Sequence, residues 1–159
     1  MKNEKNLNSN DIKQYIIFDL EEEEYAISIE EIESINRIQS ITRVPKSPYY
    51  INGVINVRGD IIPVMSLRKK LDFYEDVFTN STRIIIIKKQ DASIAIIVDK
   101  VKEVIGLDSK NIESFQETNS KMGADFIKGV GKINNRIVTI INIGKLIENI
   151  EDELCNVMR

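Results

Sequence analysis

The sequence predicts a mainly β fold of two small antiparallel barrels packed against each other, and three observations predict it. The chain repeats itself internally, its apolar residues fall in short β-branched runs, and polar turn residues separate those runs. Residues 51–67 overlay residues 127–143 without a gap, Gly53 on Gly129 and apolar residue on apolar residue. Residues 15–29 overlay residues 84–98 in the same way, so two halves share one plan. The first overlay is displaced by 76 residues (51 to 127) and the second by 69 (15 to 84), which places an insertion in the polar stretch 108–122.

Residues 1–12 are polar and read as a flexible N-terminus with no signal-peptide pattern. Tyr15-Ile16-Ile17-Phe18, a polar turn at 21–24 and Tyr25-Ala26-Ile27 read as a first hairpin. The stretch 51–67 reads as a second hairpin that turns at Arg58-Gly59-Asp60, and Pro63 inside it points to an edge or a bulge. Ser66 caps a short helix that begins at Leu67. The second half repeats this order, with Ile84-Ile85-Ile86-Ile87 as its first strand and Asn134-Asn135-Arg136 as its last turn. Gly takes positive φ freely and Asn tolerates it, as such turns require. Ile143, Leu146, Ile147, Ile150, Leu154, Val157 and Met158 fall on one face of a C-terminal helix. That stripe either covers the open end of a barrel or docks a partner. The expected layout is one domain over 13–150, with barrels over about 13–80 and 81–147 and a helical tail over 148–159. A unit of about 60 residues is marginal alone, so the barrels should pack together and leave a groove at their seam.

With 159 residues the chain has room for one ordinary domain or two small ones. Its 22 Lys and Arg against 25 Asp and Glu give a net charge of −3, which leaves no electrostatic footprint for nucleic acid. The absence of His excludes His-dependent nucleophilic triads and His-ligated metals. The single Cys155 forms no internal disulfide and reads as apolar filler in the C-terminal helix, in keeping with a reducing cytoplasm. No apolar run reaches the roughly 18 residues of a membrane span. Gly129-Val130-Gly131 precedes a strand instead of opening a helix, and Gly144-Lys145-Leu146 lacks the rest of a phosphate loop. The carboxylates of residues 21–24 read as solvated turn charge, and Asp99 as an exposed strand end. No catalytic group, metal site or cofactor site emerges. Gly53 and Gly129 share a repeat position, which argues for a backbone need at that corner, either positive φ or close approach of another chain. Arg58 does not repeat, because its counterpart is Asn134.

The stretch Pro48-Tyr49-Tyr50-Ile51-Asn52-Gly53-Val54-Ile55-Asn56-Val57-Arg58-Gly59-Asp60-Ile61-Ile62-Pro63-Val64 is highly specific. With Tyr15 to Phe18, Tyr25-Ala26-Ile27, Val44-Pro45 and Val98-Asp99-Lys100-Val101, it resembles the CheW family of chemotaxis coupling proteins over residues 13–150. The resemblance implies two five-stranded SH3-like barrels around a shared core. It implies a non-catalytic scaffold without cofactor, in the cytoplasm at membrane-associated arrays. Its implied partners are the tips of methyl-accepting chemoreceptors and the CheW-like regulatory domain of the histidine kinase CheA. CheW-like domains also occur within CheA and CheV, both longer than this chain, so the expectation is a stand-alone coupler. By position, the family's receptor-facing surface falls on Ile32, Ser34, Gly53, Arg58, Thr82 and Val104. The repeat adds Ile35, which aligns with Val104, and pairs Ile32 with Val101. The family often carries Glu where this chain has Ser34, so this chain has no carboxylate at that point. No residues are assigned to the kinase-facing surface. Two rival readings stand beside the coupler: a small-molecule sensor that uses the groove between barrels, and a coupler for a kinase pathway outside chemotaxis.

Overall fold

The computed structural model describes residues 12–89, 91–114 and 126–158. The short Ile and Val runs are strands, because β-branched side chains suit a pleated surface and alternate strictly between its two faces. In chain order the elements are β1 (Ile12–Leu20), β2 (Glu23–Ser28), β3 (Ile32–Arg37), β4 (Ile51–Val57), β5 (Asp60–Ser66) and α1 (Leu67–Lys70), followed by β6 (Arg83–Lys89), β7 (Ala92–Val98) and β8 (Lys100–Asp108). The chain continues through β9 (Ile112–Ser114), β10 (Ile127–Ile133), β11 (Arg136–Ile141) and α2 (Ile143–Met158). The fold is mainly β, with strands in two sheets.

The sheet orders are β8-β1-β2-β11-β10-β9 and β3-β6-β7-β5-β4. Under the internal repeat β1 corresponds to β6, β2 to β7, β3 to β8, β4 to β10 and β5 to β11, and those substitutions turn β8-β1-β2-β11-β10 into the order of the second sheet, with β9 left as an extra edge strand. Each half has nevertheless given its first hairpin away. β1 and β2 pair with β8 and β11 of the second half, and β6 and β7 pair with β3 and β5 of the first. This corrects the boundary expected near residue 80, since no cut at one point of the chain separates the two sheets. The chain crosses between them at the 3-10 turn Ile29–Glu31 and again at Asp99. Ile12 belongs to β1 and not to an N-terminal tail, and α2 runs unbroken through the expected boundary at residue 148.

Three clusters of buried side chains explain the apolar runs. Ile84 and Ile86 point into the interior of the second sheet with Ile55, Ile62, Val64, Ala95 and Ile97. Ile85 and Ile87 point the other way, into a central cluster shared by both sheets. A strand buried on both faces needs an unbroken apolar sequence, which is what Ile84 to Ile87 supply. Tyr15, Ile17, Ala26, Leu107, Val138 and Ile140 fill the interior of the first sheet. The seam between barrels is therefore packed with Phe18, Ile27, Met65, Ile96 and their neighbours, where the sequence suggested a groove. The helical stripe residues Ile143, Leu146, Ile147 and Ile150 join that same core. The side chains of Leu154, Cys155, Val157 and Met158 lie outside the described residues.

Repeat-equivalent details recur. Ser66 Oγ accepts from the Lys69 N–H at 3.2 Å, and Asn142 Oδ1 accepts from the Lys145 N–H at 3.1 Å. Both long hairpins turn on two positive-φ residues, Arg58 and Gly59 (54° and 91°) and Asn134 and Asn135 (46° and 69°). Pairing shifts register between Ile51 and Gly53, and between Ile127 and Gly129. A Cβ on Gly53 would sit 2.1 Å from the Thr42 carbonyl oxygen, and one on Gly129 would sit 2.5 Å from that of Glu113. The sequence suggested close approach of another chain at these glycines; the approach is instead made by this same chain. Pro63 pairs with Val54 of β4, one residue before pairing with β7 begins at Val64, so β5 is paired on one side only at that point.

Candidate partner-binding surface

The residues singled out from sequence divide into three groups. Ile32, Ser34 and Ile35 lie on β3, the edge strand of one sheet, and Val104 lies on β8, the equivalent edge strand of the other. Residues directly opposite across antiparallel strands share a face. Ile35 opposes Ile85 and Val104 opposes Ile16, two repeat-equivalent pairs. Ile32 and Val101 are half-buried against the central core. Three residues further along each strand, Ile35 is 37% exposed and Val104 47%. Each edge strand thus anchors one apolar residue inside and offers another to solvent. Ile29, exposed in the turn just before β3, extends the strip on that side. Its spacing to Ile32 and Ile35, three residues each, is the signal in the sequence that would have found it.

Ser34 lies across the register shift from Ile32, on the other face of β3, opposite Ile86 of the barrel interior. It lines a cleft at the open side of that barrel together with Arg58, Asn36, Asn56 and Lys88. Gln39 Nε2 donates to the Asn56 carbonyl at 3.3 Å across the cleft. Asn56 Oδ1 accepts from the Gly59 N–H at 3.0 Å, which fixes the turn that carries Arg58. An arginine at φ 54° occupies backbone space that Asn holds in the other barrel.

Gly53 and Thr82 do not present themselves to a partner. Gly53 is buried, and the space beside its Cα is filled by the Thr42 carbonyl, so no partner backbone approaches there. Thr82 is 3% exposed, and its Oγ1 accepts from the Thr79 N–H at 2.8 Å, closing the turn before β6.

Two charged groups differ from their sequence reading. Asp99 is no exposed strand end: Arg68 donates to both its carboxylate oxygens, at 2.9 and 2.7 Å, and the Glu21 N–H donates to Oδ2 at 2.8 Å. Glu24 is no solvated turn charge either. Arg136 donates to its two oxygens at 3.1 Å each and Lys102 to Oε2 at 2.6 Å, fastening β2 to β11 and β8. The Arg136 and Lys102 hydrogen bonds hold the Glu24 carboxyl below the usual carboxylate range. Among the described residues no group of three or more acidic or thiol side chains converges as a metal site would require, and no helix is long and apolar enough to cross a membrane.

The described residues thus form a filled double barrel with apolar side chains exposed on two edge strands. The description of the family model that matches residues 14–151 is a CheW-like domain. The chain is 39% identical over 136 residues to the chemotaxis protein CheW of Bacillus subtilis (strain 168), covering 86% of this chain and 87% of that protein. It is 33% identical to the chemotaxis protein CheW of Helicobacter pylori, covering 87% of this chain and 83% of that protein. The crystal structure of the scaffolding protein TtCheW from Thermoanaerobacter tengcongensis superposes with a TM-score of 0.74 at 32% identity, over 81% of this chain and 88% of that one. The chain belongs to the CheW family of chemotaxis scaffold proteins. A ligand-binding groove at the barrel seam finds no support, since core side chains fill that seam. Nothing in these relatives supports a kinase pathway outside chemotaxis.

Proposed function

We propose that this protein is a non-catalytic coupler that joins the tips of methyl-accepting chemoreceptors to the histidine kinase CheA in cytoplasmic signalling arrays. The observation that carries the reading is the pair Ile35 and Val104, repeat-equivalent, exposed, and each held on an edge strand whose neighbour is anchored in the core. A receptor tip is a helical hairpin, and an apolar helix face seats on such a strip. The kinase then occupies a different part of the double barrel, because one surface cannot bridge two partners.

Separate titrations with a receptor-tip fragment and with the kinase's regulatory domain test this. Both partners should bind, and saturation with one should leave the affinity for the other unchanged. Competition for a single site would refute bridging. Each contact should be modest, about micromolar, with the array gaining from multivalency.

A further inference from the structure

Arg37 and Arg83 stand directly opposite each other across β3 and β6. Like charges facing across an antiparallel pair destabilise it. The fold has no need of them: the repeat-equivalent pair on β1 and β8 is Gln14 opposite Gly106. Among the described residues, neither arginine lies within ion-pairing distance of a carboxylate. Arg83 is nevertheless held in place, because its Nη1 donates to the Asn80 carbonyl at 2.7 Å and to the Thr82 carbonyl at 2.8 Å. Its Nε and Nη2 donate to no other described group, which leaves one edge of the guanidinium fork free. The buried Thr82 therefore reaches this surface indirectly, through the turn that orients Arg83.

The alternation of a strand puts Arg37 on the same face of β3 as Ile35, two residues on. We infer that Arg37 and Arg83 together receive a carboxylate from the receptor-tip helix whose apolar face rests on Ile35. This rests on the coupler reading above and adds a charge requirement to it. Two unpaired guanidinium groups beside an exposed isoleucine complement an acidic residue next to an apolar one. The strand separates Ile35 from Arg37 by roughly 6.8 Å, close to the roughly 5.4 Å of one helical turn. Side chains three or four apart on the partner helix can therefore meet both. An orientated guanidinium favours a two-point hydrogen bond to the carboxylate, which Lys would not reproduce.

The test is affinity for a recombinant chemoreceptor-tip hairpin, measured for the full chain at several salt concentrations. Arg37→Gln and Arg83→Gln should each weaken binding about tenfold at low salt, and Arg37→Glu should weaken it further. The salt dependence of binding should flatten in all three. Arg37→Lys should recover part of the loss and restore the salt dependence. Arg37 is exposed, so its variants keep the fold and carry the test even where Arg83 variants disturb the turn. Ile35→Asp serves as the separate control on the reading itself. If Ile35→Asp abolishes binding while Arg37→Glu leaves affinity and salt dependence unchanged, the arginine assignment is overturned and the docking strip survives. If Ile35→Asp also leaves binding unchanged, both are overturned.

Discussion

Arg68 grips Asp99 through two parallel hydrogen bonds, Nε to Oδ1 at 2.9 Å and Nη2 to Oδ2 at 2.7 Å. The same guanidinium reaches Glu21 at 2.9 Å. Asp99 is where the chain leaves one sheet for the other, and Glu21 lies in the turn of the exchanged first hairpin. One side chain on α1 thus ties together three segments that the hairpin exchange brings to one point. Arg68 is only 12% exposed, so its removal strands a partly buried carboxylate. Arg68→Ala should cost about 2 kcal/mol, below the loss expected for a fully buried pair. Urea unfolding should show a lower midpoint with an unchanged slope, and Arg68→Lys should recover less than half of the loss because it cannot bind both oxygens at once.

Gly53 and Gly59 both have positive φ, 145° and 91°, yet they should respond differently to a methyl group. At Gly53 the new Cβ would overlap the Thr42 carbonyl, whereas at Gly59 it would meet nothing within 4 Å. Gly59→Ala should therefore cost only the conformational penalty, about 1 kcal/mol. Gly53→Ala should cost about 3 kcal/mol or more, because backbone must move and the Thr42 to Val54 bridge breaks. Thermal unfolding of the two variants side by side checks the ranking, and equal losses would mean that close approach does not set the cost.

The Glu24 cluster predicts an acid limb of stability. Hydrogen bonds from Arg136 and then Lys102 depress the Glu24 pKa in the folded protein. A carboxylate with a depressed folded-state pKa contributes fully above its unfolded pKa, and the contribution fades as pH falls through the folded value. Glu24→Gln should lower stability at neutral pH by about 1 kcal/mol, since partly exposed ion pairs are worth little each. The variant and the parent should then converge on acidification, below the usual carboxylate range. Parallel pH profiles of the unfolding midpoint, with a constant gap down to strong acid, would exclude this role for Glu24.

Much of this architecture is legible in the amino-acid order. The repeat, both hairpin turns, the Ser66 cap and the backbone constraint at Gly53 and Gly129 follow from local rules, and the structure shows each of them. The family resemblance allows N-terminal strands to pair with the other barrel, but the residue pattern itself does not show the exchange of hairpins, for a physical reason. Ile84 to Ile87 and Tyr15 to Phe18 are near-equivalent strands, so either satisfies the alternation demanded by β3 or β8. Periodicity fixes which face a side chain takes, and says nothing of which of two like strands lies alongside. Asp99 and Glu24 escaped for a related reason. Their partners Arg68 and Arg136 are distant in sequence, and only the exchanged pairing brings them together. On the candidate surface the family motif names exposed Val104 and buried Thr82 alike, because a position in a motif carries no information on exposure.

That distinction decides how the proposed receptor surface should be probed. Ile32 packs half-buried against the central core, beside the side chains that join the two sheets. A carboxylate there would lose its hydration without gaining a partner, at a cost of about 2–4 kcal/mol. Ile32→Asp should therefore destabilise the whole double barrel and weaken receptor and kinase binding together. Ile35 and Val104 are exposed and lie outside the buried clusters, each lending only a cross-strand contact to a buried neighbour, so Ile35→Asp and Val104→Asp should cost no more than about 1 kcal/mol of stability. An apolar anchor at the centre of an interface contributes a few kcal/mol, and about 1.4 kcal/mol is tenfold in affinity. Each of these two variants should thus lower receptor-tip affinity by roughly 10- to 100-fold and leave kinase binding intact. Circular dichroism melts alongside the two titrations separate the cases. A folded Ile35→Asp protein that binds the tip as well as the parent would remove the edge of β3 from the receptor interface. A stable Ile32→Asp protein would show that the central core tolerates charge at that rim.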